Sequence, residues 1–499
     1  MGRRGSRGPA VFEGPVQRTA RGAGFFRMPS RGDGGAPSEL FINASDMHGA
    51  MDGDTVRVRM TGRRRGGGGG GGGRCGEVVA VLERSTTRFV GRYFERDGRG
   101  WVRVDRRMFD EPVEVGDPAA RGARPGDQVV LEMLHFPESN RTGQGVVVEV
   151  LGARDLPGVD QQTVIHEYGL PEEFPEEVLA EARDVADGFN EDVPGDRQDF
   201  TGLTVVTIDP ADARDFDDAI SLEVLEDGGW RLGVHIADVS HFVRPRGALD
   251  REARMRGTSV YLPGRVIPML PELISNGLAS LQQKRLRYVL SALIEFSDEG
   301  AVRHVEFAKA AIRVTRRFSY GEVTEILADP DRFHGRVALP VRKLLGDMHR
   351  LSRLLRRRRF DAGALELHLP EVRIELDRQG RVEAIRETGQ DESHQLIEEF
   401  MLAANTAVAG ELSERGLVFL RRVHPSPSPT RLRQFATFVA GLGFRLERPQ
   451  SRHALQELID SAAGGPLSHA VNYSLLRSFK QAEYTGREDG HYALAAEDY

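Results

Sequence analysis

The chain has 499 residues, with 68 Lys+Arg against 75 Asp+Glu, a formal net charge of −7, 39% hydrophobic and 29% charged residues. That length accommodates about three domains of roughly 150 residues each, and the composition excludes a wholly disordered chain. No run approaches the ~18 apolar residues of a membrane span, no apolar stretch follows the basic start Met1-Gly2-Arg3-Arg4 as it would in a secretory signal, and the single cysteine, Cys75, excludes an internal disulfide and leads us to expect a reducing, cytoplasmic compartment.

The acidic average taken alone argues against a nucleic-acid partner. Its distribution argues the other way. Residues 1–85 hold 14 arginines, no lysine and 8 acids, a net of +6, which leaves −13 for the remainder. Such asymmetry predicts a polyanion-binding N-terminal region joined to an acidic body. Arginine forks and stacks on phosphates and bases better than lysine, although a GC-rich genome gives the same bias.

After a basic tail (1–11) the chain contains an internal repeat. Gly22-Ala23-Gly24-Phe25-Phe26-Arg27 is echoed by Gly98-Arg99-Gly100-Trp101-Val102-Arg103, and Gly53-Asp54-Thr55-Val56 by Gly126-Asp127-Gln128-Val129, at offsets of 76 and 73 residues. Two copies of one small β-barrel module are expected, at 12–83 and 87–151. Strand alternation puts Phe25 and Phe26 on opposite faces, so one can be core and the other a stacking platform. Phe25, Phe26 and Trp101 are the candidate nucleic-acid stackers, with the flanking glycines read as letting a nucleotide approach. A Gly-rich loop at 63–74 begins with Arg63-Arg64-Arg65 and serves either as a phosphate contact or as a solvated loop.

Residues 152–199 are Pro- and acid-rich and read as a connector with one short helix at 175–189. From 200 to the end the pattern is that of an α/β or α+β domain. Strands are expected at 203–209, 219–225 and 230–237. Helices are expected at 341–359 and 393–415, the latter presenting Ile397, Phe400, Met401, Ala404 and Val408 on one face.

The segment Thr204-Val205-Val206-Thr207-Ile208-Asp209-Pro210-Ala211-Asp212-Ala213-Arg214-Asp215-Phe216-Asp217-Asp218-Ala219 carries the chemistry. A β-branched strand delivers Asp209 to its end, and further carboxylates follow before a second strand leaves. Carboxylates crowded together between apolar strands must hold protons or bind cations. Mg²⁺ takes hard oxygen ligands, usually a few carboxylates with water and phosphate. The alternative is a solvated acidic turn. The spacing is not that of a calcium loop.

This segment resembles the signature of the ribonuclease II/ribonuclease R family of 3′→5′ exoribonucleases. The resemblance continues through His235-Ile236-Ala237-Asp238-Val239-Ser240, Arg256-Gly257-Thr258-Ser259-Val260-Tyr261-Leu262-Pro263 and His394-Gln395-Leu396-Ile397-Glu398-Glu399-Phe400-Met401. It implies two OB-fold (cold-shock-like) barrels followed by an RNB catalytic domain over 200–499. It implies hydrolysis of single-stranded RNA from a free 3′ end, processively, to nucleoside 5′-monophosphates with Mg²⁺, by a monomer. Asp209, Asp215, Asp217 and Asp218 fall on the catalytic aspartates, with Asp209 and Asp218 as metal ligands and Asp217 most critical for the chemical step. Tyr261 falls on a base-stacking aromatic, Tyr320 on the tyrosine that selects ribose, and Glu398 or Glu399 on a residue with the same end.

Two departures stand out. Leu367 falls where family members often place a stacking phenylalanine. The family's Ser-Pro-Ile-Arg motif and an S1 domain are expected beyond Gly490-His491-Tyr492, so we expect a C-terminally incomplete catalytic domain. The competing reading is a non-catalytic RNA-binding protein lacking the arginine motif.

Overall fold

The computed structural model describes residues 10–19, 22–28, 39–63, 74–105, 109, 111–117, 119–137, 141–389 and 391–499. The tail at 1–9 and the arginine–glycine loop at 64–73 lie outside them. The chain divides into two compact units, one of residues 1–172 with 377–381, the other of 173–376 with 382–499.

The first unit holds two closed five-stranded barrels. β1 (Val11–Arg18), β2 (Gly24–Arg27), β3 (Glu39–Ile42), β4 (Thr55–Arg63) and β5 (Arg74–Glu83) close in the order β1-β2-β3-β5-β4. β6 (Arg88–Arg96), β7 (Arg99–Val104), β8 (Val113–Val115), β9 (Asp127–His135) and β10 (Gln144–Ala153) close in the equivalent order. The sequence repeat is therefore a repeat of topology. Val16, Phe26, Leu40, Ile42, Val56 and Val58 fill the first barrel, and Tyr93, Val102, Val113, Val129 and Leu131 the second, all fully buried. Each such side chain contributes about 1.5–3 kcal/mol.

Two of the repeated glycines, Gly24 and Gly100, serve this packing. A Cβ on Gly24 would lie 2.5 Å from Met47 Sδ, and one on Gly100 2.9 Å from Val115 Cγ2 and 3.0 Å from the Tyr93 hydroxyl. The barrel interior excludes a side chain at these positions, which corrects the expectation that they make room for a nucleotide. A helix, α1 (Val159–Tyr168), follows the second barrel in the stretch read from sequence as connector.

The second unit begins with α2 (Glu176–Asp187) and is built on a six-stranded sheet. Its strands are β11 (Gln198–Asp199), β12 (Val205–Asp209), β13 (Asp218–Val224), β14 (Trp230–Ala237), β17 (Leu286–Phe296) and β18 (Val302–Ser319), in the order β11-β18-β12-β13-β14-β17. Between β14 and β17 come α3 (Val239–Phe242), α4 (Ala248–Arg256) and a hairpin of β15 (Val260–Leu262) and β16 (Arg265–Ile267). The long β18 pairs with β17 through Arg313 and with β12 from Val314 onward, so the sheet curls back on itself.

One face is covered by α5 (Tyr320–Ala328), α6 (Leu339–Asp361) and α7 (Glu392–Glu414), whose Val323, Leu345, Met348, Leu396 and Phe400 pack on Val206, Ile208, Ile220, Leu232 and Phe318. Of the expected α7 stripe, Val408 alone is 40% exposed. The other face packs on α2, α3 and α4 through Val178, Ala182, Phe242 and Leu249. β19 (Glu371–Leu376) and β20 (Val382–Thr388) form a separate ribbon. The remaining elements are β21 (Arg421–Val423), α8 (Pro429–Gly441), α9 (Arg452–Ala462), α10 (Ser468–Ser478) and β22 (Glu483–Thr485). Leu367 is half-buried against the cluster of α8, α9 and α10, which makes it a packing residue. No described helix is long and apolar enough to cross a membrane.

Candidate metal centre and nucleic-acid surfaces

The acidic loop joins β12 to β13. Asp209 ends β12 in parallel register with Ser319 of β18, and Asp218 opens β13 opposite Ile236 of β14. Both carboxylates thus leave from one end of a sheet whose central strands are buried on both faces. Asp209 is 8% exposed. One oxygen of each, Asp209 Oδ2 and Asp218 Oδ2, is buried with no hydrogen-bond partner.

Burial and then the charge of Asp218 push Asp209 up to about 7 against the smaller pull of Thr207 and Arg317, with Asp217 adding the least. Burial and then Asp217 push Asp218 up to about 6. Asp217 is an exposed residue, yet partial desolvation of its carboxyl and the charge of Asp215 raise it as well. Asp212 is turned to solvent and pairs with Arg373 at 2.8 Å.

Buried carboxylate oxygens are rarely left without partners. Two of them at one sheet end are oxygens of the type that a hard divalent cation takes, with water or phosphate in its remaining positions. Among the described residues, no three His, Cys, Asp or Glu side chains are gathered closely enough to enclose an ion by themselves. The residues therefore fit a two-carboxylate, open site and do not form a closed cage.

The loop between these aspartates is held from two sides. Ser280 Oγ donates to the carbonyl of Arg214 at 2.7 Å and accepts the Phe216 amide at 3.1 Å, and the Leu281 amide donates to the Phe216 carbonyl at 2.8 Å. From β18, Arg317 Nη2 donates to the carbonyls of Ala211 (2.9 Å) and Pro210 (3.1 Å), and lies 3.5 Å from that of Ala213.

Tyr261, on the exposed β15–β16 hairpin, is 66% exposed and donates its hydroxyl to Asp215 Oδ2 at 3.1 Å. Its ring is thus free for stacking and tethered to the acidic loop. Tyr320 is the first residue of α5, whose N-terminus is closed by a Ser319–Glu322 capping box. Burial and then Asp218 and Asp209 push its hydroxyl up to about 12, so it remains protonated. Its ring stacks on His394 with centroids 3.8 Å apart and planes at 15°. His394 Nδ1 lies 2.7 Å from Asp391, which also accepts from Thr324 at 2.7 Å and from Ser393.

The adjacent glutamates differ. Glu399 is 3% exposed and bound by Arg359, with Nη2 2.5 Å from Oε1 and Nε 3.1 and 3.2 Å from the two oxygens. The expectation that Glu399 reaches a ligand is corrected: it is an internal counterion. Glu398 is half-exposed, one turn from His394 on the same helix face, and desolvation raises its carboxyl despite Arg359.

In the first barrel Phe26 is fully buried, so it is core and not a stacker, while Phe25 is 38% exposed and packs edge-on against Phe41 with centroids 5.5 Å apart. In the second barrel Trp101 is half-buried opposite Phe94 and Glu114, its Nε1 buried without an acceptor. Sequence reasoning missed Arg317, Asp391 and His394 as site residues. Arg317 stands three residues before Tyr320, and His394 and Asp391 stand in or beside a quoted motif, but the Tyr320 and Thr324 that they meet, and the carbonyls that Arg317 meets, lie far along the chain.

The chain matches the RNB domain over residues 197–499, the cold shock domain over 101–175 and the ribonuclease B OB domain over 14–73. It is 38% identical to ribonuclease R of Thermotoga maritima over 467 residues, which cover 92% of this chain and 64% of that protein. It is 34% identical to ribonuclease R of Escherichia coli over 492 residues, 98% of this chain and 59% of that protein. The chain thus spans less than two thirds of the length of either relative.

Among solved structures, Mycoplasma genitalium RNase R in complex with ribose-methylated single-stranded RNA superposes with a TM-score of 0.81 at 25% identity, over 98% of this chain and 76% of that one. Yeast Ssd1, a pseudonuclease, shares the fold with a TM-score of 0.65 at 16% identity, over 98% of this chain and 66% of that one. Exoribonucleases with an RNB domain depend on divalent metal as a class, in keeping with the paired oxygens of Asp209 and Asp218. With the RNB match covering well over half its length and the two barrels preceding it, the chain belongs to the RNB-domain family, alongside ribonuclease R.

Proposed function

We propose that the chain carries the RNA-binding barrels and acidic centre of a 3′→5′ exoribonuclease, acting on single-stranded RNA in the cytoplasm as a processive monomer and releasing nucleoside 5′-monophosphates with Mg²⁺. The observation that carries this reading is the pair of buried, unpartnered oxygens on Asp209 and Asp218 inside an RNB domain. A divalent cation bound by them would polarise the scissile phosphate and lower the pKa of a bound water.

The chain's own residues supply the rest. Asp217, next to Asp218 in the chain, would orient and deprotonate an attacking water. Asp215 anchors the Tyr261 hydroxyl, which leaves that ring free to stack on a base near the 3′ end. Tyr320, protonated and braced by His394, and Glu398 offer hydrogen bonds to a 2′-hydroxyl, the group that distinguishes RNA from DNA. Phe25 and Trp101 offer aromatic surface on the barrels, Phe25 within the arginine-rich stretch of residues 1–85.

Incubating a 3′-tailed RNA with Mg²⁺ and resolving the products tests the reading: 5′-monophosphates and a short end-product are expected, and Asp217→Asn should abolish them. Wild-type degradation by Asp217→Asn would defeat the assignment. The second reading, RNA binding without turnover, is supported by the sharing of this fold with a pseudonuclease. RNA retention in EDTA with no cleavage in Mg²⁺ would favour it.

A further inference from the structure

The loop of Pro210–Asp217 has a problem that its aspartates do not solve. Asp209, Asp212, Asp215, Asp217 and Asp218 lie within ten residues, and like charges so close favour an expanded, mobile loop. Within the first half of the loop, one backbone hydrogen bond, from the Ala213 amide to the Pro210 carbonyl at 3.1 Å, closes a turn. The second half is fixed by Ser280 and Leu281.

The exposed Asp212 pairs with Arg373, but the carbonyls of the first half are gathered by a different cation. The guanidinium of Arg317 reaches the carbonyls of Pro210, Ala211 and Ala213 with a single nitrogen and lies over the Phe216 ring at 4.7 Å to the centroid. The geometry follows from the fold. Arg317 is paired with Thr207 in the parallel β12–β18 register, two residues before the end of β12, so its side chain lies beside the strand that enters the loop. Its own amide donates to Gln283 Oε1 at 3.1 Å, which pins the strand at that residue. The side-chain hydrogen bonds of Arg317 go to carbonyl oxygens, and its charge acts on Asp209 through space.

We propose that Arg317 is the positioning residue of the acidic loop: by clamping its carbonyls and stacking on Phe216, it holds the turn that presents Asp209 and Asp218 together to a divalent cation. This rests on the cation reading given above. A planar guanidinium that bonds to carbonyls through one nitrogen while covering an aromatic face is particular to arginine; lysine brings the charge without the plane.

The test is Mn²⁺ binding to the 499-residue chain, followed by the EPR signal of free Mn²⁺ and needing no turnover. Arg317→Gln should weaken Mn²⁺ binding about 10–100-fold, as loss of an outer-shell partner does, while affinity for single-stranded RNA in EDTA stays within about twofold. Arg317→Lys, a milder change that guards against misfolding, should fall between the two. Mn²⁺ binding by folded Arg317→Gln at wild-type strength overturns the inference. Wild-type binding by Arg317→Lys beside a loss in Arg317→Gln also overturns it, since charge alone would then suffice. If Asp209→Asn and Asp218→Asn leave Mn²⁺ binding unchanged, the cation reading itself has failed, and this inference falls with it.

Discussion

The sheet of the second unit buries carboxylates in two contrasting ways. Asp238, just beyond β14, is 3% exposed, as is the side chain of Arg197, whose Nη2 lies 2.6 Å from Asp238 Oδ2; Ser240 donates to the other oxygen at 2.6 Å. These partners outweigh the burial penalty and hold Asp238 below its ordinary value. Asp209, at the end of β12, is buried almost as deeply, but it has an orphaned oxygen and like-charged neighbours, and its carboxyl is driven up to about 7. A satisfied buried carboxylate is architecture. An unsatisfied one costs stability and is kept for what can bind it.

The largest expected effect separates the two directly. Asp238→Ala strands the Arg197 charge in the interior and should cost about 3–5 kcal/mol in urea unfolding. Asp209→Asn removes a repelled charge, so in EDTA at pH 8 it should leave stability unchanged or raise it. Equal losses in the two variants would erase the distinction.

Next in size is the response to cation and pH. In EDTA the folded chain keeps protons on Asp209 and Asp218 up to about 7 and 6, while the unfolded chain releases them near 3.8. The folded state therefore binds more protons over that window, and this pair makes stability fall as pH rises through it. Asp238 has the opposite sign, its contribution being lost as pH falls below the ordinary carboxylate range. Mg²⁺ at 100 times its Kd should add ~2.7 kcal/mol at pH 8, and less at pH 6, where protons compete for the same oxygens. The Asp209→Asn/Asp218→Asn double variant should lose the Mg²⁺ response and most of the slope, the remainder coming from Asp217. A slope undiminished in the double variant would place these protons on other groups.

Local pattern explains what could be read from the sequence. The repeat offsets foretold two barrels of one strand order, because each module's glycines and Gly-Asp turns recur with its strands. The alternation at Phe25-Phe26 foretold one buried and one exposed ring. The β-branched run before Asp209 foretold a strand end loaded with acid. What could not be read is long-range. Arg197 meets Asp238 41 residues later, and Arg317 reaches back more than 100 residues to its carbonyls; neither carries a local mark. The glycines were misread because their chain neighbours are aromatic, whereas the space they leave is taken by Met47 and Val115. Glu398 and Glu399 were indistinguishable because helical spacing separates their faces without naming the face Arg359 occupies.

That last pair repeats the contrast of Asp238 and Asp209 on a smaller scale. Glu399 is bound by Arg359 through three contacts, with Arg356 3.8 Å away. Glu399→Gln keeps the shape but removes the charge on the acceptor, and should cost about 1–2 kcal/mol of stability. Glu398 makes a single 3.8 Å approach to Arg359 and is 40% exposed, so Glu398→Gln should change stability by less than about 0.5 kcal/mol. Its expected effect is on binding. One turn along α7 from the His394 that braces Tyr320, it should weaken the preference for RNA over a matched DNA by ~1 kcal/mol, roughly fivefold, the worth of one hydrogen bond. Measuring both variants by unfolding and by competition between the two oligonucleotides assigns each glutamate its part. A selectivity change in Glu399→Gln with none in Glu398→Gln would reverse the assignment and place the internal counterion in the binding role.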